Sequence, residues 1–454
     1  MSTDAQAGLE SLIARWRADI LAHGAAEPSI AALEGQLRAH ASSLRAAGMS
    51  EDEAFLVALK RVAASDEASR RFARAYSDEL WAESVGGTDQ PDAGGTARTE
   101  FAVALGCAVA AAVAIKVPTL FGYSFGGDAA NFYARNLSLF VLPFLAAYFI
   151  WKRGMSRGGI AALAAIFVGG AVFANAYPLK PGGSTEILTV IHLPIALWLA
   201  VGVAYVGGDW LSGARRMEYV RFTGEWLVTY ALIALGGGVL VTITTGVFEA
   251  IGLNVSTFMG EWVLPCGALG AVVVSAWLVE SGRNLVGGMA PMLARVFTPL
   301  FALMLVALLT GVVSTRGVID IQREVLILFD VLLVLVLALL LYAMSARDPL
   351  AEPGLFDWIQ LVLVVCALGV DVFALVNIAA RLTEYGFSAN KAAALGLNLI
   401  LLVNLAWSAF LQIGFVRSRR PFESVERWQM RYLPVYALWA AIVVVAFPPV
   451  FGFV

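Results

Sequence analysis

The chain is predicted to be an all-α membrane protein: a polytopic bundle of transmembrane helices preceded by a small cytoplasmic domain of four helices. Three observations predict this class. About eleven apolar stretches follow one another from Glu100 to the C-terminus, each long enough to cross a bilayer. A polar segment of helical periodicity precedes them. The composition is 59% hydrophobic and only 14% charged, with a mean hydropathy of +0.77, far from a soluble domain. Lipid offers no partner to an unpaired backbone amide, so each crossing must be helical.

Residues 1–82 carry the polar segment. Its apolar residues recur as Leu9, Leu12, Ile13, Trp16 and Ile20, then Ile30, Leu33, Leu37 and Leu44, then Phe55, Leu59 and Val62, then Phe72, Tyr76 and Leu80, which fits four short helices. Gly48 is a natural stop for the second helix, and Ser50 with Glu53 has capping-box spacing for the third. No basic tip followed by an apolar run opens the chain, so this segment is expected to stay inside. It holds nine Lys/Arg against twelve Asp/Glu, which provides no basic docking face for nucleic acid. Residues 83–99, with Gly86, Gly87, Pro91, Gly94 and Gly95, read as a flexible linker to a transmembrane domain over 100–454.

Spans are expected at 100–122, 133–151, 160–178, 186–206, 223–251, 259–279, 291–313, 325–345, 356–380, 392–416 and 433–453. An odd number puts the termini on opposite sides. One set of alternate connections holds Lys152, Arg153, Arg157, Arg215, Arg216, Arg221, Arg283, Arg295, Arg347, Arg417, Arg419, Arg420, Arg427 and Arg431, and the other only Arg135, Lys180, Arg316, Arg323, Arg381 and Lys391. The positive-inside rule then predicts a cytoplasmic N-terminus and an external C-terminus. The basic, aromatic connections "SGARRMEYVRFTGEW" and "RSRRPFESVERWQMR" suit an anionic lipid surface, and Arg419, Arg420, Arg427 and Arg431 are alternatively a landing site for the acidic N-terminal segment.

Two stretches carry a family resemblance. "LESLIARWRADIL", "ALEGQLRAHASSLRAAGMSEDEAFLVALKRV" and Leu80-Trp81 resemble the permease prefix domain, a small helical module ahead of bacterial membrane proteins, often encoded near PadR-type regulators. "FTGEW" (with Gly224 and Glu225), "ARVFTPLF", "ARLTEYGFSANK" (with Arg381, Glu384, Tyr385 and Gly386) and "PPVFGF" resemble the family called domain of unknown function 4153. The resemblance implies a bacterial multi-pass protein of the inner membrane and transfers no catalytic residue or substrate.

Candidate chemistry lies in ionisable residues inside the spans, because a charge near the bilayer centre costs at least about 2.5 kcal/mol unless paired or hydrated. Lys116, His192, Glu249, Asp330, Asp371 and Arg381 all fall in the outer half of their spans. They are expected to line one outward-opening polar cavity, with Lys116 and Arg381 neutralising two carboxylates and His192 able to change charge near neutral pH. The alternative for Glu249, Asp330, Arg381 and Lys116 is simple contact with interfacial water or headgroups. Asp371 is too deep for that, about 22 Å along its helix axis, and is a candidate for ion, proton or substrate handling. Asn377 falls close to the same face, and Asn398 and Asn404 on the next span are expected to bond between helices.

Gly236, Gly237 and Gly238 in mid-span, with Pro194, Pro265 and Pro299, mark places where helices would break as they do in transporters, or simply pack closely. Cys107, Cys266 and Cys366 lie in apolar spans without metal or redox spacing. No phosphate-cradling loop, zinc helix or cofactor motif is present, so an enzyme is the least favoured class and no cofactor or metal is expected. A permease for a small solute, ion or lipid, regulated by its prefix domain, is favoured. The alternative is a signalling or assembly protein that acts through a cytoplasmic partner of residues 1–82.

Overall fold

The computed structural model describes residues 4–22, 27–46, 51–62, 93–125, 129–250, 253–281, 289–314, 323–347 and 351–454. Those residues form helices and contain no strand. The chain divides into two compact units, Met1–Ala97 and Arg98–Val454.

In the first unit α1 (Asp4–Ala22), α2 (Glu27–Ala46) and α3 (Glu51–Val62) bury Leu9, Ile13, Trp16, Ile30, Leu37, Phe55 and Leu59, the helical stripe read from the sequence. Arg38 of α2 donates from Nε and Nη2 to the two carboxylate oxygens of Glu10 on α1, at 2.7 and 2.8 Å, and from Nη2 to Glu34 at 2.9 Å. These bonds hold the Glu10 carboxyl below its ordinary range and push the Arg38 guanidinium up. The expected fourth helix, the Gly48 stop and the Ser50 cap lie outside the described residues. Helix α4 (Ala93–Ala114) begins inside the expected linker: once the apolar run beyond has nucleated the helix, its extension back through Gly94 and Gly95 costs only about 1 kcal/mol per glycine.

Eleven spans among the described residues are long and apolar enough to cross a membrane. They are α4 with a 3₁₀ turn at Val117–Phe121, α5 (Ala130–Asn136) continued by α6 (Leu142–Arg153), α7 (Arg157–Ala176), α8 (Ser184–Tyr205), α9 (Gly213–Ala250), α10 (Leu264–Glu280), α11 (Met289–Ser314), α12 (Arg323–Ser345), α13 (Leu355–Tyr385), α14 (Ala389–Val416) and α15 (Glu423–Val445). Helix α9 starts ten residues before the expected span, so the basic stretch from Gly213 to Arg221 forms its first turns. It runs unbroken through Gly236, Gly237 and Gly238, which corrects the expectation of a break there. Glycine lowers helix propensity by only about 1 kcal/mol, less than several freed amides would cost without water. Pro194 and Pro299 are likewise accommodated inside α8 and α11. Pro265 opens α10 directly after a π-helical turn at Met259–Val263. The last span ends at Val445 and not at 453, where Pro448 and Pro449 turn the chain.

Contacts between helix ends follow alternate crossing. At one end Lys152 reaches Glu100 at 3.6 Å and Glu280 at 3.4 Å, and Arg153 reaches Glu280 at 2.8 Å. At the other, Asn390 donates to Ser184 at 3.0 Å, while Lys180 and Thr185 donate backbone N–H groups to Phe453 and Val454 at 3.2 and 2.9 Å. The two ends of the bundle are named below by Glu100 and Val454. Buried apolar residues form one core in α4 to α10, which Val444 of α15 joins, and a second in α11 to α15.

Candidate functional site

A cavity of about 600 Å³ lies where the two halves of the bundle meet. One wall is aromatic: Trp198 of α8 and Trp226 of α9 pack with tilted rings, centroids 4.2 Å apart, and Tyr230 stacks on Trp226 at 5.4 Å. Local bonds fix that wall. The indole N–H of Trp198 donates to Thr223 Oγ1 at 3.3 Å, and that of Trp226 donates to the Val272 carbonyl at 3.0 Å. Leu142, Leu269, Val334, Leu337, Leu401 and Leu433 complete an apolar interior. His192, Ser138, Tyr436 and Trp439 also line it, and among the described residues no Asp, Glu, Lys or Arg does. The size falls within the roughly 300–1,000 Å³ of small-molecule sites.

The structure does not gather the expected charges into this cavity; of the six, His192 alone lines it. Its Nδ1 bonds the Leu188 carbonyl one turn back at 2.9 Å. A carbonyl only accepts, so Nδ1 carries the proton and Nε2 of the neutral ring is an acceptor. Lys116, expected to neutralise a carboxylate, instead donates to the Glu261 carbonyl in the π-helical turn at 2.8 Å and lies over the Trp262 and Phe125 rings, 4.1 and 4.6 Å from their centroids. A π turn shifts carbonyls out of the α register, which supplies the acceptor. Glu249 is exposed near the end of α9, and Arg381 is half-buried, ten residues beyond Asp371 on α13.

Asp371 and Asp330 do come together. Asp371 is completely buried, neither of its carboxylate oxygens has a hydrogen-bond partner, and it lies close enough to Asp330 on α12 for the two carboxyls to interact electrostatically. Asn398 of α14 donates Nδ2 to Asp330 Oδ1 at 2.7 Å and keeps a buried, unpartnered Oδ1. Asn377 donates only to the Phe373 carbonyl of its own helix, at 2.8 Å.

A second polar chain lies beside this pair. Asn404 donates to the Tyr436 hydroxyl at 2.6 Å and to Gln429 Oε1 at 3.0 Å, and accepts from Trp428 Nε1 at 2.8 Å. Gln429 in turn donates to Ser408 Oγ at 2.6 Å. Tyr436 connects this network to the cavity wall and interacts electrostatically with Asp371. Sequence reading found Asn404 but missed Gln429 and Tyr436, although their i, i+7 spacing puts both on one face of α15. It also missed the buried pair of Arg135 and Glu186, 3.4 Å apart, because Arg135 was counted among connection residues.

The family-motif residues sit at structural contacts. Gly224 leaves room for the Tyr342 ring, which an added Cβ would overlap. Phe222 stacks on Tyr205 at 4.7 Å, and the Glu225 carbonyl accepts from Thr229 at 2.8 Å. Gly386 has φ +74°, and Lys391 donates to its carbonyl at 2.8 Å. Glu384 is exposed, and Tyr385 is the last residue of α13.

No family model, curated protein or solved structure matches the chain. The two family resemblances therefore rest on their motifs alone. Among the described residues no group of three His, Cys, Asp or Glu side chains is placed to hold a metal ion.

Proposed function

We propose that this multi-pass protein is a permease-like protein of the bacterial inner membrane that takes a lipid or similar amphiphile from the bilayer into the cavity between its two halves. One observation carries the reading: a half-open 600 Å³ space in the side of the bundle with an apolar, aromatic lining and, among the described residues, no charged side chain. Such a space suits an apolar chain and would hold a hydrated ion poorly. The excess of Lys/Arg in alternate connections favours a cytoplasmic Glu100 end and an external Val454 end. In this reading Asp371 and Asp330 supply an ion- or proton-handling step behind the cavity wall, and no catalytic step is required.

The test is reconstitution in liposomes with a fluorescent phospholipid and a membrane-impermeant quencher. Wild-type protein is expected to speed lipid transfer between leaflets, and Ala268→Phe, which intrudes on the cavity, to reduce the gain. A folded wild-type protein that gives the protein-free rate would reject the reading.

The separate core of the first unit favours a second role, contact with a cytoplasmic partner through residues 1–82. Deleting those residues is expected to leave lipid transfer in liposomes intact while removing its regulation in cells. Loss of a cellular output from a protein with no transfer activity would favour signalling instead.

A further inference from the structure

The buried polar groups of the second half do not all find partners within it. Asp371 is completely buried and both of its carboxylate oxygens are without a hydrogen bond. Asn398, equally buried, reaches Asp330 with Nδ2 at 2.7 Å and leaves its own Oδ1 unpartnered. Phe329, beside Asp330, and Phe373, two residues from Asp371, pack with centroids 6.2 Å apart, so α12 and α13 bring the two carboxyls to one level, where they interact electrostatically. Asp330 is half-buried, about 10 Å from the Val454 end of α12 by helix rise. The pair thus has an outer member with surface left open and an inner member with none.

Among the described residues neither aspartate forms an ion pair. On the helices packed against α13, Arg295 of α11 is exposed and about 21 Å from Leu309, which packs at Gly369. Arg323 and Glu324 open α12, and Lys391 of α14 donates to the Gly386 carbonyl past the end of α13. On α13 itself Asp357 pairs with Arg347 at 2.9 Å, Arg381 lies about 15 Å beyond Asp371, and Glu384 is exposed. Two neighbouring carboxyls then require a cation that the chain does not supply. Metal sites in membrane helices draw on carbonyls freed where a helix unwinds. Helices α12, α13 and α14 run unbroken past these residues, and no third His, Cys, Asp or Glu joins the pair among the described residues. A proton needs only one oxygen.

Tyr436 links the pair to the cavity. Its hydroxyl accepts from Asn404 at 2.6 Å, donates to no atom among the described residues, and interacts electrostatically with Asp371, while the residue lines the cavity. An ionised Asp371 attracts that O–H dipole and a protonated one does not, so the charge on Asp371 acts on the wall.

We propose that Asp330 and Asp371 form a proton site that couples lipid transfer to proton entry from the Val454 end, with Tyr436 carrying the coupling to the cavity. This names the ion and the coupling residue for the step assigned above to the two aspartates, and it rests on that reading. Asp330 takes a proton from the aqueous phase. The O–H bond on Asp330 then breaks as one forms on Asp371, the electron pair stays on the Asp330 oxygen, and the Asn398 amide stabilises the carboxylate left behind.

The test is infrared spectroscopy of the full-length protein in lipid as the pH is changed, read beside the liposome transfer assay under an imposed proton gradient. The C=O band of a protonated carboxylic acid is expected to titrate, to shift in D2O and to be lost in Asp371→Asn. Asp371→Glu, which keeps the acid, is expected to move the band, and it serves should the Asn variant fail to fold. The gradient is expected to speed wild-type transfer about fivefold or more. Tyr436→Phe is expected to keep the band and lose the gradient effect. A band unchanged in both Asp371 variants overturns the proton site and leaves lipid transfer standing. So does a thermal midpoint that rises with sodium chloride, relative to choline chloride, in wild type but not in Asp371→Asn. Transfer indifferent to the gradient overturns the coupling. A titrating Asp371 band in a protein without lipid transfer supports the proton site and overturns the permease reading.

Discussion

Asn398 Nδ2 donates to Asp330 Oδ1 at 2.7 Å, a bond that ties α14 to α12 beside the buried carboxyl of Asp371. Asn398 is fully buried and Asp330 half-buried, so the bond is partly screened from its surroundings. Asn398→Leu leaves the Asp330 carboxyl without that donor and is expected to cost about 1–2 kcal/mol. A lower thermal midpoint in detergent checks this, and restoration by the second change Asp330→Leu would show that the loss came from the orphaned carboxyl.

Asp371 contrasts with Asp330 because neither of its oxygens has a partner. Asp371→Asn is expected to reduce lipid transfer while the protein remains folded, and Asp371→Leu to abolish it while raising stability by about 1–3 kcal/mol, since an unsatisfied polar group is removed. Transfer measured beside a melting curve separates the two effects. Unchanged transfer in both variants would reject a functional role.

Gly396 and Trp439 form a close pair across α14 and α15. Gly396→Ala is expected to displace the indole and cost about 1–3 kcal/mol by overpacking. Trp439→Phe, with a smaller ring, is expected to relieve the stability loss in the double variant. Thermal midpoints of the single and double variants in detergent check both halves.

Lys116 is a structural clamp by its contacts, with one carbonyl and two aromatic rings around its ammonium. Lys116→Met is expected to cost about 1–2 kcal/mol through the lost cation–π contacts and hydrogen bond. Transfer should change less than threefold, in contrast to Asp371→Asn. A stable Lys116→Met protein without transfer would return Lys116 to the candidate site.

In the first unit the Glu10 carboxyl is held below its ordinary value of 4.5 by Arg38. A carboxyl so depressed contributes stability above that value, lost as pH falls through the lower value of the folded unit. The pair is exposed, so Glu10→Gln is expected to cost no more than about 1 kcal/mol at neutral pH. Hydrogen-exchange protection factors in α1 and α2 should differ between wild type and variant at pH 7 and converge as the Glu10 carboxyl of the folded unit becomes protonated.

The sequence by itself determined the solvent, the helical class and the approximate spans, because the bilayer demands long apolar helices and the period of three to four residues shows which face of α1 to α3 is buried. It also singled out Asp371, since depth along one helix can be counted from residues alone. Tertiary structure decided which polar side chains meet. Lys116 met a π-turn carbonyl and two rings, Asn398 met Asp330, and the charges expected around one cavity were distributed among separate contacts. Those outcomes depend on how each helix is rotated and on which helix stands beside it, relationships between residues as far apart as Lys116 and Glu261 that the order of residues does not express. The cavity itself is such a relationship. Its wall is assembled from small groups of ordinary apolar residues on seven spans, none distinguishable in sequence from residues that face lipid, and only the packing of the two halves makes them line one space.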